Sequence, residues 1–321
     1  MSRVHQLLVA LALGLLMPLA AAAQPPEKVW RVGILHPAAS TGALWLTHLR
    51  ELGYVEGQNL IVERRFAAGH PERLPALAAE LVQLKVDVIV ASAAGAILAA
   101  KNATTTIPIV MAYGGTPVER GFVASLARPG GNVTGVAYAA EGTLVPKRLQ
   151  LLKDAVPTAK RIGTLDDGSP EQREVIKEAE AVARTLDVQL VVVDARPGRY
   201  ERAFTDMKAR RVDALSVLGS PIHNADRKQL IALAGQHRLP AIWEWREHVE
   251  EGGLMSYGAS LSALARRVAV CIDKLLKGAN PAELPVEQPT VFELVINLKT
   301  AKALGLTIPQ SLLVRADDVI Q

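Results

Sequence analysis

The feature that most constrains the fold of this chain is an internal repeat with a spacing of about 130 residues. Four short apolar segments, rich in β-branched residues, return in the same order at offsets of 130, 130, 126 and 132 residues. The paired segments are 31–35 with 161–165, 59–64 with 189–194, 86–90 with 212–216, and 107–110 with 239–242. Solenoid repeats run to about 50 residues, so a repeat of this length instead predicts two similar lobes. Ligands commonly bind in the cleft between two such lobes.

Helical segments separate the apolar segments in both halves of the chain. Residues 71–84 and residues 170–186 carry apolar side chains at the spacing of an amphipathic helix. Continuously apolar strands that alternate with helices are typical of parallel sheets covered on both faces. We therefore predict an α/β fold of two doubly wound parallel-sheet lobes with a central cleft. In such lobes, the groups that bind ligand lie at the carboxyl ends of the strands.

The first 23 residues have the organisation of a secretory signal peptide. Arg3 supplies the positive start, residues 7–19 form an apolar stretch, and Ala21 to Ala23 form a small-residue cleavage site before Gln24. The apolar stretch is too short for a membrane span, although an uncleaved N-terminal anchor is the alternative. We expect cleavage near Ala23 and export of a soluble protein to the bacterial periplasm.

Cysteine usage agrees with that location. Cys271 is the only cysteine in the sequence, so no intramolecular disulfide can form. Large α/β domains in the bacterial periplasm do not need disulfides. We predict that Cys271 is a small buried apolar residue on a helix.

The sequence lacks the motifs of several common enzyme classes. It has no Gly-x-Gly-x-x-Gly dinucleotide motif, no phosphate-binding loop and no Gly-x-Ser-x-Gly nucleophile motif. The glycine-rich segment 130–135 lacks the phosphate-loop lysine, so it predicts a turn into a strand. The histidines show no metal-ligand spacing, and the basic residues form no concentrated run. We predict no catalytic residues, no metal site, no cofactor and no nucleic-acid partner.

Several segments together carry motifs specific to one protein family. They are LRELGYVEGQN at 49–59, LPALAAEL at 74–81, SLARPGGNVTG at 125–135, GGLMSYG at 252–258, LPVEQPT at 284–290 and FELVIN at 292–297. From about residue 31 to residue 320, the chain resembles the periplasmic substrate-binding proteins of ABC transporters. The resemblance is to their tryptophan/tyrosine-type branch, which has the type I bilobal fold. It implies a non-catalytic receptor that closes two lobes on a small solute and delivers it to an inner-membrane ABC permease.

The repeat and the resemblance together predict the domain boundaries. We expect residues 24–138 and about 258–290 in the first lobe, and residues 139–257 and about 291–321 in the second. The last segment should also cross between the lobes. We expect the other crossings near 136–138 and 255–258, and we expect the protein to be a monomer.

Small, polar and aromatic residues follow the predicted strands in both halves. Because the carboxyl ends of parallel strands meet in the cleft, we predict that these residues bind the ligand. In the first lobe they are Ser40, Thr41, Ser92, Ala93, Tyr113, Gly114 and Thr116. In the second lobe they are Asp167, Ser169, Ser220, Trp243 and Trp245. For each residue taken alone, the role of an ordinary turn residue is the alternative.

The residue types within this set predict different contacts with the ligand. We expect Ser92 and the neighbouring backbone N–H groups to hold an anionic or carbonyl end of the ligand. The carboxylate of Asp167 should meet a cationic or donor group, and Trp245 should cover an apolar face. Trp243 would share a face with Trp245 in an extended segment, and hinge packing is the other role for either ring.

One departure from the family pattern leaves the ligand open. Where family members usually have Gly-Asp-Pro-Val, this chain has Gly115-Thr116-Pro117-Val118. The missing carboxylate removes a partner for an amino group, so an aromatic amino acid and a neutral or anionic solute are both compatible with the sequence. Two other functions are also open, an exported sensory module without transport and an exported hydrolase or lyase that uses the same cleft.

Overall fold

The computed structural model describes residues 28–39, 43–138 and 141–321. The predicted signal peptide at 1–23 lies outside the described residues, and so do Ser40 and Thr41. Across the described ranges, no helix is long and apolar enough to cross a membrane.

The first lobe is built on a sheet of five parallel strands. They are β1 (Trp30–His36), β2 (Leu60–Phe66), β3 (Val88–Ser92), β4 (Ile109–Gly114) and β5 (Val133–Ala137). Their order in the sheet is β2-β1-β3-β4-β5. The helices are α1 (Leu44–Glu51), α2 (Leu74–Gln83, after a 3-10 turn at Pro71–Arg73) and α3 (Ala93–Ala103). Strands β3, β4 and β5 are almost continuously buried, because helices cover both faces of the sheet.

The second lobe is built on a sheet of seven strands. They are β6 (Arg161–Asp166), β7 (Gln189–Asp194), β8 (Ala214–Ser216), β9 (Ala241–Trp243), β10 (Met255–Ala259), β11 (Phe292–Asn297) and β12 (Asp318–Ile320). The order in the sheet is β12-β11-β10-β9-β8-β6-β7. The first helices of this lobe are α4 (Glu141–Ala155), α5 (Pro170–Thr185), α6 (Tyr200–Ala209), α7 (Pro221–Ala225), α8 (Arg227–Gln236) and α9 (Arg246–Glu250). After α10 (Leu261–Leu276), the chain ends with α11 (Leu298–Ala303) and α12 (Gln310–Leu313).

The sequence repeat corresponds to a topological repeat. Strands β7-β6-β8-β9-β10 have the same order as β2-β1-β3-β4-β5, and each repeated sequence segment forms an equivalent strand. This arrangement confirms the predicted fold class of two doubly wound α/β lobes. One pair departs from a purely parallel sheet, since β11 runs antiparallel to β10. The reason is that the chain leaves β10 on the cleft side, passes through α10 in the first lobe and re-enters the second sheet from the cleft side, so β11 runs in the opposite direction.

The chain passes between the two sheets three times. It first leaves β5 at Ala137 for α4, which packs in the second lobe, and it later leaves β10 at Ala259 for α10. The third passage begins where Glu287 pairs with Val136 of β5 and ends in β11. Both lobes therefore contain segments that are distant in sequence.

Helix α10 completes the core of the first lobe. Its buried residues Leu264, Val268 and Ile272 belong to the same apolar cluster as the strands of that lobe. The hydroxyl of Tyr54 donates to Oδ1 of Asp273 at 2.8 Å, which ties α10 to the loop after α1. Cys271 is buried in this helix, as predicted.

Candidate ligand-binding site

A cavity of about 1110 Å³ lies between the carboxyl ends of the strands of the two sheets. Eight of the twelve predicted site residues line it. They are Ser92, Ala93, Tyr113 and Thr116 from the first lobe, and Asp167, Ser169, Ser220 and Trp245 from the second. Ser40 and Thr41 lie outside the described residues. The structure thus brings together residues that are up to 153 positions apart in the sequence.

The structure places the remaining two predicted residues away from the cavity. Trp243 is 1% exposed, and its ring stacks on that of His248 with centroids 5.3 Å apart, inside the core of the second lobe. Strand β9 ends at Trp243, so the backbone turns before Trp245 and the two rings do not share a face. Gly114 belongs to β4, and a Cβ atom added to it would meet the core side chain of Ile97 at 3.0 Å.

The N-terminus of α3 opens directly onto the cavity. Ser92 occupies the N-cap position, but its side chain makes no capping hydrogen bond. At the equivalent helices of the second lobe, Ser169 and Ser220 each accept a hydrogen bond from a backbone N–H of their own helix. The first N–H groups of a helix have no partner within it, so those of α3 remain available to an anion in the cavity.

Two residues at the first-lobe strand ends adopt a left-handed backbone. Ala93 and Tyr113 both have φ of 65°, and both line the cavity. This conformation costs a residue with a side chain about 1–3 kcal/mol and tends to persist at functional sites. At Tyr113 it coincides with a shift of register between β4 and β5, and it directs the phenol toward the second lobe. Burial raises the pKa of Tyr113, and the nearby carboxylate of Glu247 raises it further.

An aromatic cluster joins the two lobes at one side of the cavity. Trp245, from the second lobe, lies 6.3 Å from the ring of Tyr113 and 4.9 Å from the ring of Tyr138, which both come from the first lobe. The hydroxyl of Tyr138 accepts a hydrogen bond from Nη2 of Arg148 at 2.8 Å. Arg148 is fully buried in α4, and its Nε donates to the carbonyl oxygen of Tyr257 in β10. This network links the first two crossing segments to the cavity wall.

Asp167 organises the wall of the second lobe. Its Oδ2 accepts a hydrogen bond from the hydroxyl of Ser220 at 2.5 Å, and its Oδ1 accepts one from the backbone N–H of Ser169 at 2.8 Å. The backbone N–H of Asp167 donates to Oε1 of Gln172 at 2.7 Å. The carboxylate therefore ties the end of β6 to the start of α7, and both of its oxygens already have a partner within this lobe.

The lobes also meet at the mouth of the cavity. Nη2 of Arg120, which follows β4, lies 2.6 Å from Oε2 of Glu174 on α5. Gly69 of the first lobe lies against Pro197 of the second, since a Cβ atom added to Gly69 would be 3.3 Å from the proline ring. The two lobes therefore contact each other at the mouth of the cavity.

Sequence reasoning missed several residues that line the cavity. Tyr138 follows β5 and could have been found by the strand-end signal that identified the other residues. Gln172 and Glu247 lie on helices, and no motif or spacing in the sequence distinguishes them from surface residues. In the described part of the chain, no group of His, Cys, Asp and Glu residues is arranged to hold a metal ion.

Comparison with known proteins identifies the family. Residues 37–320 match the sequence profile of the family described as ABC transporter substrate binding protein. The chain belongs to this family. The protein is accordingly a substrate-binding protein with the bilobal fold of type I periplasmic binding proteins, and it is not an enzyme.

Relatives in the family include proteins with assigned ligands. The chain is 26% identical over 259 residues to a tyrosine-binding protein of Clostridioides difficile (strain R20291), covering 80% of this chain and 74% of that protein. It is 27% identical, with a TM-score of 0.77, to an ABC domain from Streptococcus pneumonia in complex with L-Trp. It is 28% identical, with a TM-score of 0.79, to a conserved domain protein from Vibrio cholerae O1 biovar eltor. Both structural alignments cover 91% of this chain and 100% of the other.

Proposed function

We propose that this protein is the exported solute receptor of an ABC importer. In this proposal the signal peptide is removed near Ala23, and the mature protein works in the periplasm as a monomer. It closes its two lobes on a small solute and delivers that solute to an inner-membrane permease. Membership of the substrate-binding family and a cavity walled by both lobes support this role, because hinge closure around a ligand is how such two-lobed proteins act.

The proposed ligand is a small solute with a carboxylate at one end and an aromatic or other apolar group at the other. The observation that carries this proposal is the uncapped N-terminus of α3, which faces a cavity with an aromatic wall. In the proposed complex, the hydroxyl of Ser92 and the first N–H groups of α3 hold the carboxylate. Tyr113 and Trp245 then cover the apolar group.

An aromatic amino acid is the leading ligand of this kind. Two relatives support the choice, since one is named a tyrosine-binding protein and the structure of another contains L-Trp. The remaining predicted residues that line the cavity, Ala93, Thr116, Asp167, Ser169 and Ser220, form the polar surroundings of the ligand in this proposal.

A thermal-shift screen of the mature protein tests the proposal. The screen compares L-tyrosine and L-tryptophan with aliphatic amino acids, sugars and aromatic acids. A ligand at 100 times its dissociation constant adds about 2.7 kcal/mol to the free energy of unfolding. For a chain of this size we expect the midpoint to rise by about 4 °C. If no compound of the library raises the midpoint, the receptor proposal is wrong.

A pair of substitutions at Gly95 tests how the carboxylate is held. Gly95 lies in the first turn of α3 and lines the cavity. Because a Cβ atom added to Gly95 would lie 3.5 Å from Oε1 of Glu171, both variants are made in a Glu171→Gln protein. In that protein, Gly95→Asp places a negative charge at the proposed anion site, whereas Gly95→Asn adds a side chain of similar size without the charge. Because like charges brought together cost several kcal/mol, the Asp variant should bind at least about tenfold more weakly than the Asn variant. Equal affinities, measured by titration calorimetry, would place the carboxylate elsewhere.

A further inference from the structure

Glu247 is a carboxylate on the cavity wall with an unused oxygen. It lies in α9, two residues after Trp245, and it lines the cavity. Its Oε2 is buried and has no hydrogen-bond partner among the described residues. The described lysines, arginines and histidines form no ion pair with it either. Arg246, which precedes it in α9, and Arg227, the first residue of α8, pair with other carboxylates. A buried polar atom without a partner is costly, and here it belongs to a side chain that lines the cavity.

The other carboxylates near this position are already engaged. Asp167 accepts hydrogen bonds on both of its oxygens. Glu251 pairs with Arg227 at 2.7 Å, and Glu250 pairs with Arg246 at 3.6 Å. Glu244 also has an interaction of its own within the protein. Among these carboxylates around Trp245, Glu247 is therefore the one with a buried oxygen that has no hydrogen-bond partner in the described part of the chain.

We infer that Glu247 recognises a cationic nitrogen of the ligand, so that the solute bound in this cavity carries an ammonium or similar group. This inference rests on the proposed receptor function and narrows its ligand class. It places the ammonium group beside Tyr113 and Trp245, while the carboxylate of the same ligand meets the N-terminus of α3 from the other lobe. A zwitterion bound in this way would bridge the two lobes, and a solute with only a carboxylate would leave Glu247 unpaired.

The electrostatic surroundings of Glu247 agree with this role. Burial raises the pKa of its carboxyl group, and the charges of Glu250 and Glu293 raise it further. Two effects lower the pKa of Glu247: the hydrogen bond from its own backbone N–H and the positive charge of Arg227. A bound cation stabilises the ionised carboxylate, so ligand binding should release a proton from any Glu247 that is protonated in the empty cavity.

Matched ligands that differ only in the amino group test the inference. Titration calorimetry of the mature protein would compare L-tyrosine with 3-(4-hydroxyphenyl)propionate, and L-tryptophan with indole-3-propionate. The wild-type protein should bind each amino acid at least about 30-fold more tightly than its deaminated partner, since an unpaired buried charge costs 2 kcal/mol or more. The Glu247→Gln variant, which keeps the shape of the side chain, should lose most of this preference.

Two further variants test whether Glu247, and not another carboxylate, binds the ammonium group. Asp167→Asn should keep the preference for the amino acid, because Asp167 serves the second-lobe wall. Glu178→Gln changes an exposed carboxylate on α5 at the mouth and should leave both affinities unchanged. Calorimetry in buffers with different ionisation enthalpies provides a measurement that needs no variant. Near pH 6, where the carboxyl groups of all four ligands are ionised, proton release on binding of the amino acid should exceed that on binding of the deaminated acid.

The possible outcomes distinguish this inference from the function on which it rests. If the deaminated acids bind as tightly as the amino acids, or if Glu247→Gln retains the preference, the inference is wrong and the receptor function stands. If Asp167→Asn alone removes the preference, the cation belongs to Asp167 and the inference is also wrong. If none of the four compounds binds, both the aromatic amino acid proposal and this inference fail.

Discussion

The hydrogen bond between Ser220 and Asp167 should make a measurable contribution to stability. Both side chains are buried, with exposures of 5% and 7%, and the Ser220 hydroxyl donates to the carboxylate at 2.5 Å. The hydroxyl oxygen of Ser220 also accepts a hydrogen bond from the backbone N–H of His223 at 3.2 Å, and it thereby caps α7. Loss of a hydrogen bond to a charged group costs about 1.5–3 kcal/mol. Loss of a serine cap costs about 1 kcal/mol. Ser220→Ala should therefore lower the free energy of unfolding by about 2.5–4 kcal/mol.

Ser169→Ala is a matched control for this substitution. The Ser169 hydroxyl caps α5 by accepting the N–H of Gln172 at 3.2 Å, the same capping distance as at Ser220. Its side chain makes no bond to Asp167, which it contacts only through its backbone N–H. The Ser169→Ala variant should thus lose only the capping contribution of about 1 kcal/mol. Urea denaturation followed by far-UV circular dichroism would measure both variants.

A double-mutant cycle with Asp167→Asn would isolate the bond itself. The single amide oxygen of asparagine can still accept the N–H of Ser169, so the amide nitrogen faces the Ser220 hydroxyl and the hydrogen bond to a charged acceptor is lost. In that background the cost of Ser220→Ala should fall to about that of a lost cap. If Ser220→Ala costs the same as Ser169→Ala in the wild-type protein, the short contact contributes nothing and the reasoning is refuted.

Two other predictions concern the closure of the two lobes and the pH dependence of the free energy of unfolding. Arg120 and Glu174 pair across the mouth, and an exposed pair is worth about 0.2–1 kcal/mol, so Glu174→Gln should weaken ligand binding by no more than about fivefold. The charge-swapped protein, with Arg120→Glu and Glu174→Arg, should regain most of that affinity, and a persistent loss would mean that the pair does not assist closure. Burial lowers the pKa of His36 to about 4 and that of His248 to about 3, from 6.5 in the unfolded chain. Between pH 6.5 and 4 the unfolded chain binds more protons, so the free energy of unfolding should fall on acidification, by up to about 1.4 kcal/mol per pH unit for each histidine. Urea titrations across this range would test the slope, which His36→Asn should reduce.

The fold could be predicted from the sequence because its determinants are local and repeated. A strand buried on both faces, such as β3 or β4, is apolar along its whole length, and this pattern is visible without knowledge of its neighbours. Helix α5 likewise shows its buried side in the spacing of its own residues. Ser92 and Asp167 could be assigned to the cavity for a related reason, since parallel strands all end at the same edge of a sheet.

Only the tertiary structure determined which of these side chains can contact a ligand and which are already bonded within the protein. Trp243 and Trp245 are two residues apart, yet one packs in the core and the other joins the aromatic cluster, because β9 ends between them. The carboxylate of Asp167 accepts a hydrogen bond from Ser220 of the same lobe, which follows it by 53 positions in the sequence. The oxygen of Glu247 has no partner partly because Arg227, on another helix, pairs with Glu251 instead. Periodicity determines which residues are buried, but whether a buried polar atom has a partner depends on contacts between segments that only folding brings together.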